Sequence, residues 1–555
     1  MPASNPASAD GARNRYRTVI VGSGFAGLGA AIRLKQAGIE DFVVLERDGV
    51  LGGTWWANTY PGCQCDIPSH LYSFSFAPNP DWSRTYSMQP EILEYLRRVS
   101  REHGIDPHIR FHHDVAAARW DEDSQLWRIQ ANVHRTEPNE TGHDGAARAG
   151  TGRDGAGPQS VADRAQGGET RELTAELLIV GPGPLSEPKL PEIEGIESFA
   201  GRIFHSARWE HEHSLLGKRV AVIGTGASSI QFVPKIQPEV SKLHLFQRTP
   251  PWIVPHRDRP TRSWERTLYR AFPPAQRLVR AFVYWSRELF VFTLMHPRSG
   301  SLPERAGRKH LREQVPDLEL RAKLAPRYRI GCKRTLLSND YYPAIQRPNV
   351  EVVTDSIAAI TPHGIVTADG AEREVDTIVL GTGFHVTDMP VAAWVHGRGG
   401  RTLDDVWRGS PQAYLGSTVA GFPNLFMLVG PNTGLGHNSI VFMLESQLNY
   451  AIDCIAHLDR AGAGSFEVRE DVQRRFNEEI QRKLDGTVWT SGGCVSWYLD
   501  EHGRNSTVWP GFTWPFRRRT RHFRAADYEL RPRAPRPARP APSPAPTAPA
   551  PAPVS

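Results

Sequence analysis

Two glycine-rich segments carry the spacing that binding a phosphate requires. The first reads Gly22-Ser23-Gly24-Phe25-Ala26-Gly27, directly after the run TVIV and before LGAAIRLKQAG. Gly22 and Gly24 permit a tight turn and close approach of a pyrophosphate to backbone N–H groups. Gly27 lets the helix pack on the strand, and the helix N-terminus faces the anion. Glu46 ends the next strand, 24 residues after Gly22, where a carboxylate accepts hydrogen bonds from a ribose 2′-hydroxyl. The second segment, after RVAVI, reads Gly224-Thr225-Gly226-Ala227-Ser228-Ser229, and counting 24 from Gly224 reaches Arg248. A base thus stands where the first repeat has an acid. A carboxylate would repel a 2′-phosphate, whereas a guanidinium grips it bidentately and Thr249 adds a hydroxyl. The first site is expected to hold an unphosphorylated dinucleotide such as FAD, the second NADPH. Two sites of opposite preference imply electron transfer from NADPH to flavin.

Behind Glu46 come Gly52-Gly53-Thr54-Trp55 and then Tyr60-Pro61-Gly62-Cys63-Gln64-Cys65-Asp66. A dithiol flavoprotein needs a C-x-x-C pair near this point. Cys63-x-Cys65 has the wrong spacing, and Trp55 and Trp56 occupy the region. No His or Cys cluster with zinc spacing accompanies them, so packing roles and no metal are expected. Without a dithiol acceptor, oxygen becomes the expected oxidant of the reduced flavin. Five scattered cysteines fit a reduced cytoplasmic protein without a disulfide scaffold.

The elements that must position these groups alternate. TVIVG (18–22), FVVLE (42–46), ELLIVG (176–181), RVAVIG (219–224), KLHLFQ (242–247) and DTIVLG (376–381) are short apolar runs separated by helical patterns. This predicts an α/β fold with two Rossmann-like dinucleotide-binding domains built on parallel sheets. The expected layout is a flexible N-terminus (1–15), a first part of a discontinuous FAD-binding domain (16–185), an NADP-binding domain (186–370) and a second FAD-domain part with a closing segment (371–530). Residues 135–171 read as a disordered insertion, and 531–555, with 10 Pro in 25 residues, as a disordered tail. A helical insertion is expected at about 260–330. Its runs WERTLYRAF and QRLVRAFVYWSRELFVFTLM, broken at Pro273 and Pro274, read as helices packed on the second sheet domain, with a membrane-surface face as the other reading.

With 39% hydrophobic and 23% charged residues the chain reads as ordinary globular material. The net charge of +6 falls to +2 without the four Arg of the tail, which argues little for nucleic acid even beside the basic run Arg517–Arg524. No stretch reaches the ~20 apolar residues of a membrane span, and the N-terminus lacks a secretory core.

Phe199-x-Gly201-x-x-x-His205-x-x-x-Trp209 matches the fingerprint F-x-G-x-x-x-H-x-x-x-W-[P/D], and GGTW…YPGxxxD is a second shared signature. On these motifs the chain, from about Tyr16 to Leu530 without the insertion, resembles the type I Baeyer–Villiger monooxygenases. Trp209 favours that branch over the N- and S-oxygenating relatives, while Glu210 in place of Pro or Asp is a departure. The resemblance implies FAD- and NADPH-dependent insertion of one oxygen atom from O₂ next to a ketone carbonyl, through a C4a-peroxyflavin, giving an ester or lactone. It implies Arg334 as the catalytic cation that keeps the oxidant anionic and stabilises the adduct, with Asp66 orienting it. Lys333 would join Arg248 and Thr249 at the 2′-phosphate, and Gly224 to Ser229 would line the NADP pyrophosphate. Trp497 would ride on a mobile loop over NADP. Thr54, Trp55, Tyr72, Val115 and Asn432 would contact FAD. His205 is expected to tie the linker to the nicotinamide domain and not to act as acid or base. Gly381 stands where Ala is usual, a change expected to be tolerated. S- or N-oxygenation of a sulfide or amine is the alternative activity, and a non-catalytic redox sensor is the alternative class.

Overall fold

The computed structural model describes residues 13–134, 169–296 and 300–534. β1 (Arg15–Val21), the helix Phe25–Gln36 and β2 (Phe42–Leu45) form a first βαβ unit with parallel strands. Every residue of β2 is buried, so the run is apolar without alternation, as a strand covered on both faces requires. β3 (Ile109–Arg110) extends the sheet beyond β2. On the other side β6 (Glu169–Val180) pairs with β1 and carries antiparallel β5 (Leu126–Val133) and β4 (His113–Asp121). Strands Val395–His396 and Leu425–Met427 join β4 and β6, so this sheet draws on both ends of the chain.

The second sheet is parallel throughout, in the order Val350–Val353, β9 (Lys242–Phe246), β8 (Arg219–Ile223), Thr377–Leu380, β7 (Arg202–His205). The boundary expected at 370/371 is corrected here. The run DTIVLG pairs with β8 and β7, and nothing local in a buried parallel strand says which sheet it enters.

The insertion folds as helices Ser263–Ala271, Pro273–Met295, Ser301–Gln314 and Leu318–Leu324. Pro273 and Pro274 start the long helix instead of breaking it, since their missing N–H groups cost nothing in a first turn. The long helix also packs elsewhere than expected. Gln276 donates to the Asn79 carbonyl at 2.6 Å, Arg280 to that of His70 at 2.6 Å, and Tyr284 stacks on Phe442 at 4.8 Å. These partners belong to the first domain, because the polar groups of this helix find carbonyls there.

Residues 169–171, expected in the disordered insertion, open strand β6. Strand Tyr528–Pro532 pairs with Ala463–Val468 and runs two residues past the expected start of the tail. Residues 135–168 of that insertion and 535–555 of that tail fall outside the described residues. Among the described residues no helix is long and apolar enough to cross a membrane.

Candidate active site

The turn after β1 holds Gly22 at φ +94°, and a Cβ there would stand 2.8 Å from the Gly181 oxygen. A Cβ on Gly27 would lie 1.7 Å from the Gly22 oxygen, so strand and helix approach only as glycines. Glu46 is buried. Its Oε2 accepts from Ser23 N at 2.8 Å and Ser23 Oγ at 2.6 Å, and its Oε1 from Asp48 N at 3.0 Å. Burial and the neighbouring Asp48 raise its pKa. Both oxygens keep lone-pair capacity for a ribose hydroxyl, so the cradle fits the adenosine half of a dinucleotide. Trp55 Nε1 donates to the Tyr72 hydroxyl at 3.2 Å, and the Tyr72 ring meets Phe25 at 5.1 Å. Trp55 and Tyr72 thereby meet Phe25 of the glycine turn, and Thr54 opens the short helix that carries Trp55. Val115 follows two residues after His113, whose N–H donates to the Glu46 carbonyl at 2.8 Å, and its side chain packs with Val19, Leu45 and Val180. Asn432 donates to the Asn505 and Val508 carbonyls at 2.8 and 3.1 Å, so its amide secures a loop.

The second turn repeats the first. Gly224 has φ +108°, and its Cβ would stand 2.4 Å from the Gly381 oxygen. Gly226 and Ala227 are exposed, and no atom lies within 4 Å of the point where a Cβ on Gly226 would be. The cradle opens in front of helix Ser229–Ile236, with Ser228 as its N-cap. Thr225 Oγ1 donates to the Thr249 carbonyl at 3.4 Å. Arg248, Thr249, Lys323, Arg327, Tyr328 and Lys333 line a cavity of about 800 Å³. Burial and the nearby Arg248 lower the pKa of Lys333, whose ammonium sits 5.6 Å from the Tyr328 ring centroid. A phosphate among these cations relieves their mutual repulsion, and the donor set suits one.

The next residue in the chain reaches the other domain. Arg334 donates from Nε to Asp66 Oδ2 at 2.5 Å, from Nη2 to Oδ1 at 2.7 Å, and from Nη1 to the Leu435 carbonyl at 3.3 Å. Both side chains of the pair keep over a quarter of their surface exposed, 28% and 29%. Burial alone would lower the arginine's pKa and raise the aspartate's, but each ion outweighs that for its partner. The guanidinium therefore carries a fixed charge where the segment after the first cradle, the loop bearing Leu435 and the wall of the second cavity come together.

Comparison with known proteins agrees with this geometry. A profile of the flavin-binding monooxygenase-like family matches residues 156–391, and one of NAD(P)-binding Rossmann-like domains matches 20–88. A Baeyer–Villiger monooxygenase of Streptomyces coelicolor is 48% identical over 520 residues, 93% of each chain. One of Pseudomonas aeruginosa is 46% identical over 522 residues, 94% of this chain and 92% of its own. The chain belongs to the Baeyer–Villiger monooxygenases. Among solved structures, a closed form of cyclohexanone monooxygenase superposes with a TM-score of 0.79 at 26% identity, over 94% of this chain and all of that one. A steroid monooxygenase bound to NADP gives 0.77 at 30% identity, over 93% and 99%.

The Baeyer–Villiger fingerprint acquires a physical reading. A Cβ on Gly201 would stand 2.5 Å from the Asp376 oxygen, so this position admits only glycine between the edge strand and its neighbour. Trp209 is buried against Phe204 and Phe232, each at 5.2 Å, and Glu210 accepts from Arg202 at 2.8 Å, which gives the departure from Pro or Asp a partner. His205 is buried at the end of β7. Its Nδ1 accepts from Ala207 N at 3.1 Å, and its ring meets Phe384 at 5.6 Å. Burial and Arg208 push its pKa down to about 4.

Two features went unread in the sequence. Tyr498 is buried beside Arg334. It directly follows Trp497, which is 45% exposed, and that adjacency was the available signal. Cys332 and Cys494 form a disulfide, with Cα atoms 6.2 Å apart, which corrects the expectation of five free thiols. A separation of 162 residues hid the pairing. Cys63, Cys65 and Cys454 are free and buried.

Proposed function

We propose that this Baeyer–Villiger monooxygenase converts a ketone to an ester or lactone, with FAD in the first cradle, NADPH in the second, and Arg334 as the catalytic cation between them. FAD when bound would supply electron storage and oxygen activation, and NADPH the hydride. The observation that carries the reading is the bidentate Arg334–Asp66 pair joining the two domains. A guanidinium cannot lose its proton, so it offers a permanent positive charge where negative charge develops on oxygen. Asp66 holds the guanidinium plane and leaves the remaining N–H groups free to turn toward substrate. Arg248, Thr249 and Lys333 select the 2′-phosphate, and Glu46 selects a ribose hydroxyl. A cytoplasmic site of action suits dependence on NADPH.

The test is product analysis with a cyclic ketone and a sulfide under NADPH and ¹⁸O₂. Lactone carrying one labelled oxygen supports the reading. Sulfoxide alone moves the assignment to heteroatom oxygenation.

A further inference from the structure

The long helix Pro273–Met295 carries a second apolar stripe that faces outward. Its inward face sets polar groups beside buried Tyr284, Val291 and Leu294: Gln276 and Arg280 donate to carbonyls, Arg287 donates to the Tyr86 hydroxyl at 2.9 Å, and buried Glu288 accepts from Asn438, Thr513 N and Thr513 Oγ1 at 2.6, 2.9 and 2.8 Å. Its outward face is apolar. Leu278, Phe282, Trp285, Leu289 and Phe292 recur every three or four residues and are 50–75% exposed. Trp264, Leu268 and Phe272 on the preceding helix continue the face at 59%, 39% and 56%. Half of the large apolar side chains exposed among the described residues thus fall within this one stretch, which solubility alone does not explain.

The exposed charges carried by the two helices themselves are basic. Between Ser263 and Met295 the carboxylates are Glu265 and Glu288, both buried and hydrogen-bonded, while Arg277 is exposed and Arg270, also exposed, pairs with Asp81 at 2.6 Å. The basic run of the sequence adjoins it. Phe512 meets Phe292 at 5.2 Å, and Thr513 meets the Tyr284 hydroxyl at 3.0 Å, which brings in exposed Trp514, Arg518 and Arg521. Aromatic and aliphatic side chains rimmed by arginine, with Trp at the margin, are what an anionic lipid surface binds. A second copy fits poorly, because a two-fold interface would set these arginines against themselves.

We infer that this helix pair and the adjoining Trp514 segment lie on the surface of an anionic lipid bilayer, the apolar stripe entering the interface without crossing it. The inference stands apart from the assignment of the reaction.

The experiment is flotation of the full-length, FAD-loaded enzyme with vesicles of phosphatidylcholine, with and without phosphatidylglycerol. Binding should be about ten-fold or more greater on the anionic vesicles, fall with salt, and shift Trp emission to the blue. Phe282→Asp with Leu289→Asp should abolish it while the melting curve and NADPH oxidation stay unchanged. Arg277→Glu with Arg518→Glu, which spares the stripe, should remove the anionic preference. Absence of binding to either vesicle overturns the inference. So does a concentration-dependent dimer that the Asp variants dissociate, since the occupant is then a second copy.

Discussion

Gly381 leaves out a methyl group whose place Ser229 takes: a Cβ at Gly381 would stand 2.2 Å from Ser229 Oγ. Nucleotide-binding turns usually put Gly or Ala at the third fixed position, where this chain has Ser229. The two departures conserve volume across one contact. Gly381→Ala, which looked neutral in the sequence, should therefore overpack the turn and cost about 1–3 kcal/mol. Adding Ser229→Gly should recover most of the loss. Urea melts of the four chains measure the coupling, and purely additive effects would contradict the contact.

Arg334→Ala should lower oxygen transfer by about 10²–10³-fold, the scale of removing one preorganised electrostatic donor. Bleaching of the flavin by NADPH should persist, because the 2′-phosphate cations and both cradles are untouched. Asp66→Asn should keep the guanidinium charged but loosen its aim, giving a smaller loss. Single-turnover reduction and ester formation, followed separately, distinguish these effects. Equal loss of both half-reactions would place Arg334 in structure alone.

Arg248→Ala or Lys333→Ala should raise the KM for NADPH by about 10–100-fold, the range expected for losing one charge-assisted contact. Use of NADH should hardly change, as it has no 2′-phosphate to lose. Kinetics with the two cofactors side by side give the answer. An equal rise in both KM values would mean that these cations do not read the phosphate.

The two cradles were legible because their requirements are local: a turn, a glycine contact and a residue 24 positions on. The Arg334–Asp66 pair was legible only through resemblance, since 268 residues separate the partners. Tyr498, the Cys332–Cys494 bond and the placement of Thr377–Leu380 in the second sheet depend on tertiary contact and left no periodic trace. The long helix misled for a different reason. Its apolar residues predict a buried face, and the structure turns one stripe of them outward.

The Cys332–Cys494 bond fastens the loop ahead of Trp497 to the residue just before Lys333 and Arg334, and Cys494 lines the basic cavity. Cys494→Ser should cost about 2–5 kcal/mol, the usual loss for a native disulfide. It should also free the loop that carries Trp497. Thermal melts with and without reductant measure the first effect, and limited proteolysis near residue 495 the second. Insensitivity of the parent chain to reductant would show that the thiols are not joined in solution.

His205 predicts a stability slope in acid. Its folded pKa of about 4 lies below the ordinary 6.5, because burial and Arg208 disfavour the charged ring. Between these values the unfolded chain binds the proton more readily than the folded one. Stability from this residue is therefore complete above pH 6.5 and is lost as pH falls toward 4, by up to about 3 kcal/mol. Half-buried His70, also pushed down to about 4 by burial and Arg280, adds in the same direction. The pKa of Asp66 is already depressed by Arg334, so its pairing does not titrate in this window. His205→Gln keeps an acceptor for Ala207 N and should remove one proton's worth of the slope. Urea midpoints between pH 4.5 and 7 test this, and an unchanged slope in the variant would mean that the His205 ring is not held neutral.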